Sequence, residues 1–149
     1  MSGLRDLYQE VIIDHSRRPR NFGPPAAHNR RAEGFNPLCG DQLTLYLRVA
    51  DGIIEAAGFE GSGCAISTAS ASLLSEALPG KSIAEAEALF AAFHDLVTGA
   101  APAPDAAPLG KLQVLAGVQE FPARIKCATL AWHTLRAALH DQAEQVSSE

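Results

Sequence analysis

Apolar residues recur at helical spacing over residues 3 to about 17, where Leu4, Leu7, Tyr8, Val11 and Ile12 share one face and Ser2 can cap them. Prolines and glycine in "RRPRNFGPP" then break the helix. Residues 26–38 read as irregular, with one short strand around Glu33 to Phe35. The period changes to two in "LTLYLRVA", residues 43–50: Leu43, Leu45, Leu47 and Val49 face one way, and Thr44, Tyr46 and Arg48 the other. Asp51-Gly52 is a two-residue hairpin turn, and "IIEAAGFE", residues 53–60, is the return strand. "GSG" leads into a helix from Cys64 or Ala65 to Leu78. A second helix starts after Ser82, which forms a capping-box pattern with Glu85; its apolar face holds Ile83, Ala86, Leu89, Phe90, Phe93 and Val97. Residues 99–108 form a Pro/Ala loop or mobile tether, and 109–118 a short helix. Pro122 suits the first position of a last helix that runs to about Gln142, and residues 143–149 form a frayed, flexible tail. Strands cluster early and helices follow, which predicts an α+β fold with helices packed on one face of a small antiparallel sheet.

With 149 residues, the chain is long enough for a single domain, residues 1–149, with a real core. Apolar residues are 47% and charged residues 19%, ordinary for a globular protein. A net charge of −5 argues against nucleic acid or an anionic membrane surface as the main partner. No charged-then-apolar leader and no bilayer-length apolar run is visible, so a cytoplasmic location is expected.

The three cysteines, at 39, 64 and 127, are an odd and widely spaced set, unlike a secreted disulfide framework. Cys39 lies in "NPLCGDQL", bracketed by Pro37 and Gly40, with Asp41 two residues on. Burying Asp41 unpaired would be costly, so Asp41 is expected to be exposed or to ligate a cation. Cys64, in "EGSGCAIS", precedes a helix whose positive dipole end lies beside the sulfur. Cys127, in "FPARIKCATLAW", falls in the early turns of the last helix, and Arg124 can share its face. Three thiolates and one carboxylate make a tetrahedral donor set that suits Zn²⁺, with Arg124 and Lys126 partly offsetting its negative charge. The CxxC spacing of a zinc knuckle is missing, and three independent core cysteines are the competing reading.

The stretches "DHSRRPRNFG" (14–23), "NPLCGD" (36–41), "FEGSGCAISTASASLLSEALPGKS" (59–82) and "FPARIKCATLAWHTL" (121–135) occur together and in order. The chain thereby resembles the IscU/NifU-like family of iron–sulfur cluster assembly proteins, and most closely its SufU branch. The resemblance implies a three-stranded antiparallel sheet covered by helices, with Cys39, Asp41, Cys64 and Cys127 as metal or cluster ligands. IscU-type scaffolds carry histidine just before the last cysteine, where this chain has Lys126. SufU-type proteins carry an extra segment, which residues 83 to about 120 can accommodate. Both features imply a zinc-dependent, sulfurtransferase-like acceptor. It would take persulfide sulfur from a PLP-dependent cysteine desulfurase of the SufS type and relay it to a downstream Suf-type cluster scaffold. On this reading a desulfurase ligand displaces Cys39 from the metal, and Cys39 accepts the sulfur. Cys64 and Cys127 keep the metal, Asp41 keeps the site exchangeable, and Arg124 reads either as a donor near the metal or a partner contact, or as a surface residue.

Two other readings use the same ligands: a scaffold assembling a transient iron–sulfur cluster, and a purely structural zinc domain used for docking. His15 reads either as a docking residue or as a surface residue at a helix end, and the basic "SRRPR" as an acidic-partner contact or a solvated loop. His28, His94, His133 and His140 lack ligand-like company and read as structural or surface residues.

Overall fold

A computed structural model describes residues 2–23, 25, 27–37, 40–98, 112, 115, 118, 122–140 and 146–147. In chain order the elements are α1 (Ser2–Arg17), β1 (Arg30–Asn36), β2 (Asp41–Ala50), β3 (Ile53–Ser62), α2 (Ala65–Ala77), α3 (Ile83–Thr98), α4 (Pro122–Leu139) and β4 (Val146–Ser147). Strands β1, β2 and β3 make the expected three-stranded antiparallel sheet, and the two-residue β4 adds to the β1 edge in parallel, giving the order β3-β2-β1-β4. The α+β class and the helices on one face are as anticipated.

The β2–β3 hairpin follows from its turn. Asp51 (φ 53) and Gly52 (φ 75) both adopt the left-handed conformation that a two-residue primed turn needs. Between Arg48 and Val49 the register shifts, leaving Glu55 as an extra residue on β3 whose carboxylate pairs with the Arg48 guanidinium at 2.7 Å. Leu43, Leu45 and Leu47 of β2 are buried with Ala57 and Phe59 of β3, while Gln42 and Arg48 are exposed. This is the alternation that the sequence displays.

Strand β1 is longer than the three residues expected. Its inward positions are Ala32, Gly34 and Asn36, opposite Leu45, Leu43 and Asp41. None is a large apolar residue, because α4 lies close above: a Cβ on Gly34 would collide with the Thr134 hydroxyl and press on Leu130 Cδ1. Helix α4 covers β1 and β2, α2 covers β3, and α1 and α3 pack on these two helices from outside. The serines and alanines of α2 allow that close packing, with Ser67, Ala69, Ser70, Ala71 and Ser72 buried along it. Helix α3 starts with the expected capping box: Ser82 Oγ accepts from the Glu85 N–H (3.1 Å), and Glu85 Oε1 accepts from the Ser82 N–H (2.9 Å). The Ser82 backbone N–H, with help from its side chain, holds the Glu85 carboxyl below its ordinary pKa.

His15 is a correction to the surface reading. It is 2% exposed, and its Nδ1 lies 2.7 Å from Ser72 Oγ. The same hydroxyl accepts from the Arg20 backbone N–H, while Asn21 donates to Ser75 Oγ. Part of the basic loop is therefore internal structure, with Arg20 paired to Asp14 at 2.6 Å. Of the other histidines, His133 packs edge-on against Phe90, and burial pushes its pKa down. His140 lies 2.8 Å from Glu87.

The Pro/Ala loop at 99–108 lies outside the described residues, as does most of the short helix expected over 109–118. Leu112, Leu115 and Val118, three residues apart, are buried in the core. The tail also lies outside, except for Val146 and Ser147, which pair with Gly34 and Phe35. No helix among the described residues is long and apolar enough to cross a membrane.

Candidate metal centre

Three chain segments meet at one end of the sheet. Asp41 opens β2, Cys64 stands immediately before α2, and Cys127 lies in the second turn of α4. Gly40 (φ 72) turns the chain into β2, and its N–H closes the turn onto the Asn36 carbonyl at 2.8 Å. Cys64 is the N-cap of α2: its backbone is extended (φ −71, ψ 170), and its Sγ accepts from the Ser67 N–H at 3.4 Å. A sulfur here takes the role usually given to a serine or aspartate oxygen, which places it at the positive end of the helix.

Asp41 is fully buried, so of the two expectations for it the exposed one is overturned. Its Oδ1 accepts the Cys64 backbone N–H at 2.9 Å, and its Oδ2 accepts from Asn36 Nδ2 at 3.3 Å. Cys127 is fully buried as well; its thiol faces the Ala123 carbonyl at 3.7 Å, and Asn36 Nδ2 approaches its sulfur at 3.6 Å. One oxygen of Asp41 and the two sulfurs all lie within 4.8 Å of one another. Ligands sharing a tetrahedral zinc would stand roughly 3.8 Å apart, given Zn–S bonds of about 2.3 Å. Small side-chain rotations would close the difference. Gathering a buried carboxylate and two thiolates without a cation is costly, and the mixed oxygen–sulfur set suits a divalent metal of intermediate softness. The residues present therefore fit a metal ion.

Of the six residues that the sequence places in or beside the site, the structure brings Asp41, Cys64 and Cys127 together. Arg124 is exposed on the first turn of α4, and Lys126, next to Cys127, is half-buried. Cys39 lies outside the described residues. Asn36 is the residue that sequence reasoning passed over. Its signal was the short β1–β2 connection, which sets residue 36 opposite residue 41.

Gly63 leaves room for this arrangement. A Cβ there would stand 2.7 Å from Asp41 Oδ1 and 3.1 Å from its Cγ. Gly63→Ala should push the carboxylate off the Cys64 N–H, costing about 1–3 kcal/mol. Urea unfolding of the metal-free protein checks this, and a variant as stable as wild type would show that the carboxylate is not fixed there.

Known proteins resemble this chain in sequence and in fold. The profile of the NifU-like N terminal domain family matches residues 7–128. The chain is 42% identical over 134 residues to the zinc-dependent sulfurtransferase SufU of Bacillus subtilis, with 90% of each chain covered. It is also 42% identical over 139 residues to the iron–sulfur cluster assembly scaffold protein IscU of Streptococcus pyogenes, covering 93% of this chain and 86% of the relative. The crystal structure of a SUF-system iron–sulfur cluster assembly scaffold from Fervidobacterium islandicum superposes with a TM-score of 0.82 at 35% identity, covering 87% of this chain and 94% of that one. Fold, converging donor set and sequence agree, and the chain belongs to the NifU-like N-terminal domain family of iron–sulfur cluster assembly proteins.

Proposed function

We propose that this protein, acting as one domain in a reducing cytoplasm, is a zinc-dependent sulfur acceptor in iron–sulfur cluster biogenesis. It would receive persulfide sulfur from a PLP-dependent cysteine desulfurase and deliver it to a separate cluster scaffold. The observation that carries this reading is the convergence of Asp41, Cys64 and Cys127 within 4.8 Å. The likeness to Bacillus SufU and the lysine at position 126 favour sulfur transfer over cluster building.

Asp41, Cys64 and Cys127 would hold the metal, with Cys39 as the fourth and exchangeable ligand. Zinc, when bound, supplies a redox-inert charge that keeps thiolates deprotonated at neutral pH. The chain's own residues do the rest. Cys64 caps α2 and Cys127 lies within α4, both helices packed into the core, so the two would stay in place while Cys39 reacts. The Cys39 thiolate attacks the outer sulfur of the desulfurase persulfide: a new S–S bond forms to Cys39, the old one breaks, and the desulfurase cysteine leaves as a thiolate. Electrons balance without an external oxidant. The cations Arg124 and Lys126 precede Cys127 on α4 and would offset the negative charge of four anionic ligands.

The test is a desulfurase assay combined with metal analysis. Zinc-loaded protein should stimulate a cognate desulfurase, and Cys39→Ser should abolish the stimulation while zinc stays bound to the remaining ligands. A Cys39→Ser variant that accepted sulfur at the normal rate would sink the assignment. The scaffold reading draws on the equal identity to the Streptococcus IscU. It would be favoured if protein purified without air carried iron with thiolate-to-iron absorption in place of zinc.

A further inference from the structure

We propose that Asn36 is a positioning residue of the metal centre: its amide ties the Asp41 carboxylate to the Cys127 sulfur and tempers how strongly that sulfur donates to a metal. The proposal rests on the zinc reading above. Asn36 closes β1 directly opposite Asp41, and its side chain is fully buried. The two hydrogens of Nδ2 have two acceptors to serve: Asp41 Oδ2 at 3.3 Å and Cys127 Sγ at 3.6 Å. Turning the amide over would set its carbonyl oxygen against a carboxylate oxygen and the sulfur lone pairs, so electrostatics fix this orientation.

The consequence is a continuous chain of hydrogen bonds. The Cys64 N–H donates to one oxygen of Asp41, and Asn36 donates to the other and to Cys127. All three donor residues are thereby linked before any metal arrives, across strands β1 and β2 and the starts of α2 and α4. Partners of this kind orient ligands and tune the metal, and losing one typically weakens binding roughly 10–100-fold. An N–H pointing at a thiolate also draws charge from it. Cys127 is then a weaker nucleophile and a steadier ligand, which suits a sulfur that holds the metal while another thiolate reacts.

The experiment uses the full chain with Asn36→Ala and Asn36→Leu; the second keeps roughly the side chain's size and removes both donors. Zinc affinity is measured by competition with a chromophoric chelator, and the thiolate-to-cobalt charge-transfer band is recorded after loading Co²⁺. Both variants should bind zinc roughly 10–100-fold more weakly. In both, the band should move to lower energy as the sulfur becomes more electron-rich. Affinity within about twofold of wild type would overturn the proposal. So would weaker binding with an unshifted band, because the amide would then act through Asp41 or packing alone. Metal-free variants that both fail to fold would make Asn36 a support of the fold and overturn it too. A wild-type chain that bound no zinc in the same titration would instead bring down the underlying function.

Discussion

Trp132→Ala should cost about 3–5 kcal/mol of folding stability. The indole is fully buried and stacks on Phe93 of α3 with ring centres 4.4 Å apart and planes 14° from parallel. Phe90 adds a second ring at 6.4 Å. The indole N–H donates to Ser70 Oγ of α2 at 3.2 Å. One side chain of α4 thus joins α2 and α3. The Ser70 hydroxyl also donates to the Ala128 carbonyl at 2.6 Å, so truncation leaves that hydroxyl partnered and the main loss is volume. Against the 5–15 kcal/mol typical of a domain, this is a large fraction, and the thermal midpoint should fall by roughly 6–20 °C. Trp132→Phe, which keeps a ring against Phe93, should recover part of the loss. Chemical denaturation of the two variants checks the argument, and a Trp132→Ala cost below about 1 kcal/mol would show that the cavity collapses or that α3 is held by other contacts.

The legible parts of this fold are those where one face is apolar and the turn chemistry agrees with it. Leu43, Leu45 and Leu47 alternate, Asp51-Gly52 supplies the two left-handed positions, and Ser82 with Glu85 caps α3. Strand β1 was mostly hidden because its inward side is Ala32, Gly34 and Asn36. Small residues there answer to the close approach of α4, a constraint that no local periodicity carries. His15 was misjudged for a similar reason. A histidine at a helix end reads as exposed until the buried serines of α2, Ser72 among them, are seen to offer it a partner.

The gathering of Asp41, Cys64 and Cys127 has its own signals in the sequence. Helix starts mark both cysteines: Cys64 follows two glycines and caps α2, and Cys127 lies near the cations at the start of α4, although Cys127 is itself fully buried. Asp41 lies beside the two sulfurs, and its burial supports the ligand reading, since a carboxylate taken fully out of water there calls for a cation. Asn36 escaped notice because an asparagine before a proline reads as turn chemistry, and its role emerges only from the β1–β2 register.

Zinc binding should itself be visible as stability, and Cys127→Ser should remove it. A ligand that binds the folded state alone adds about 2.7 kcal/mol at 100 times its Kd. For a chain of this length that raises the thermal midpoint by roughly 5–11 °C, and a chelator should reverse the rise. Serine at position 127 can keep the apo contacts: its hydroxyl can face the Ala123 carbonyl and accept from Asn36, as the sulfur does. The metal-free variant should therefore unfold within a few degrees of wild type. An alcohol gives up its proton far less readily than a thiol, so the variant offers a neutral, harder donor where wild type offers a thiolate. Structural zinc sites release about 10–16 kcal/mol over four ligands, so losing one strong donor should weaken binding about 100-fold or more. At the zinc concentration that stabilises wild type, most of the upward shift should vanish. Scanning calorimetry of both proteins, each with zinc and with chelator, separates the two effects. If Cys127→Ser kept the full zinc-induced shift, Cys127 would not be a ligand, and the buried sulfur at the start of α4 would be a packing residue.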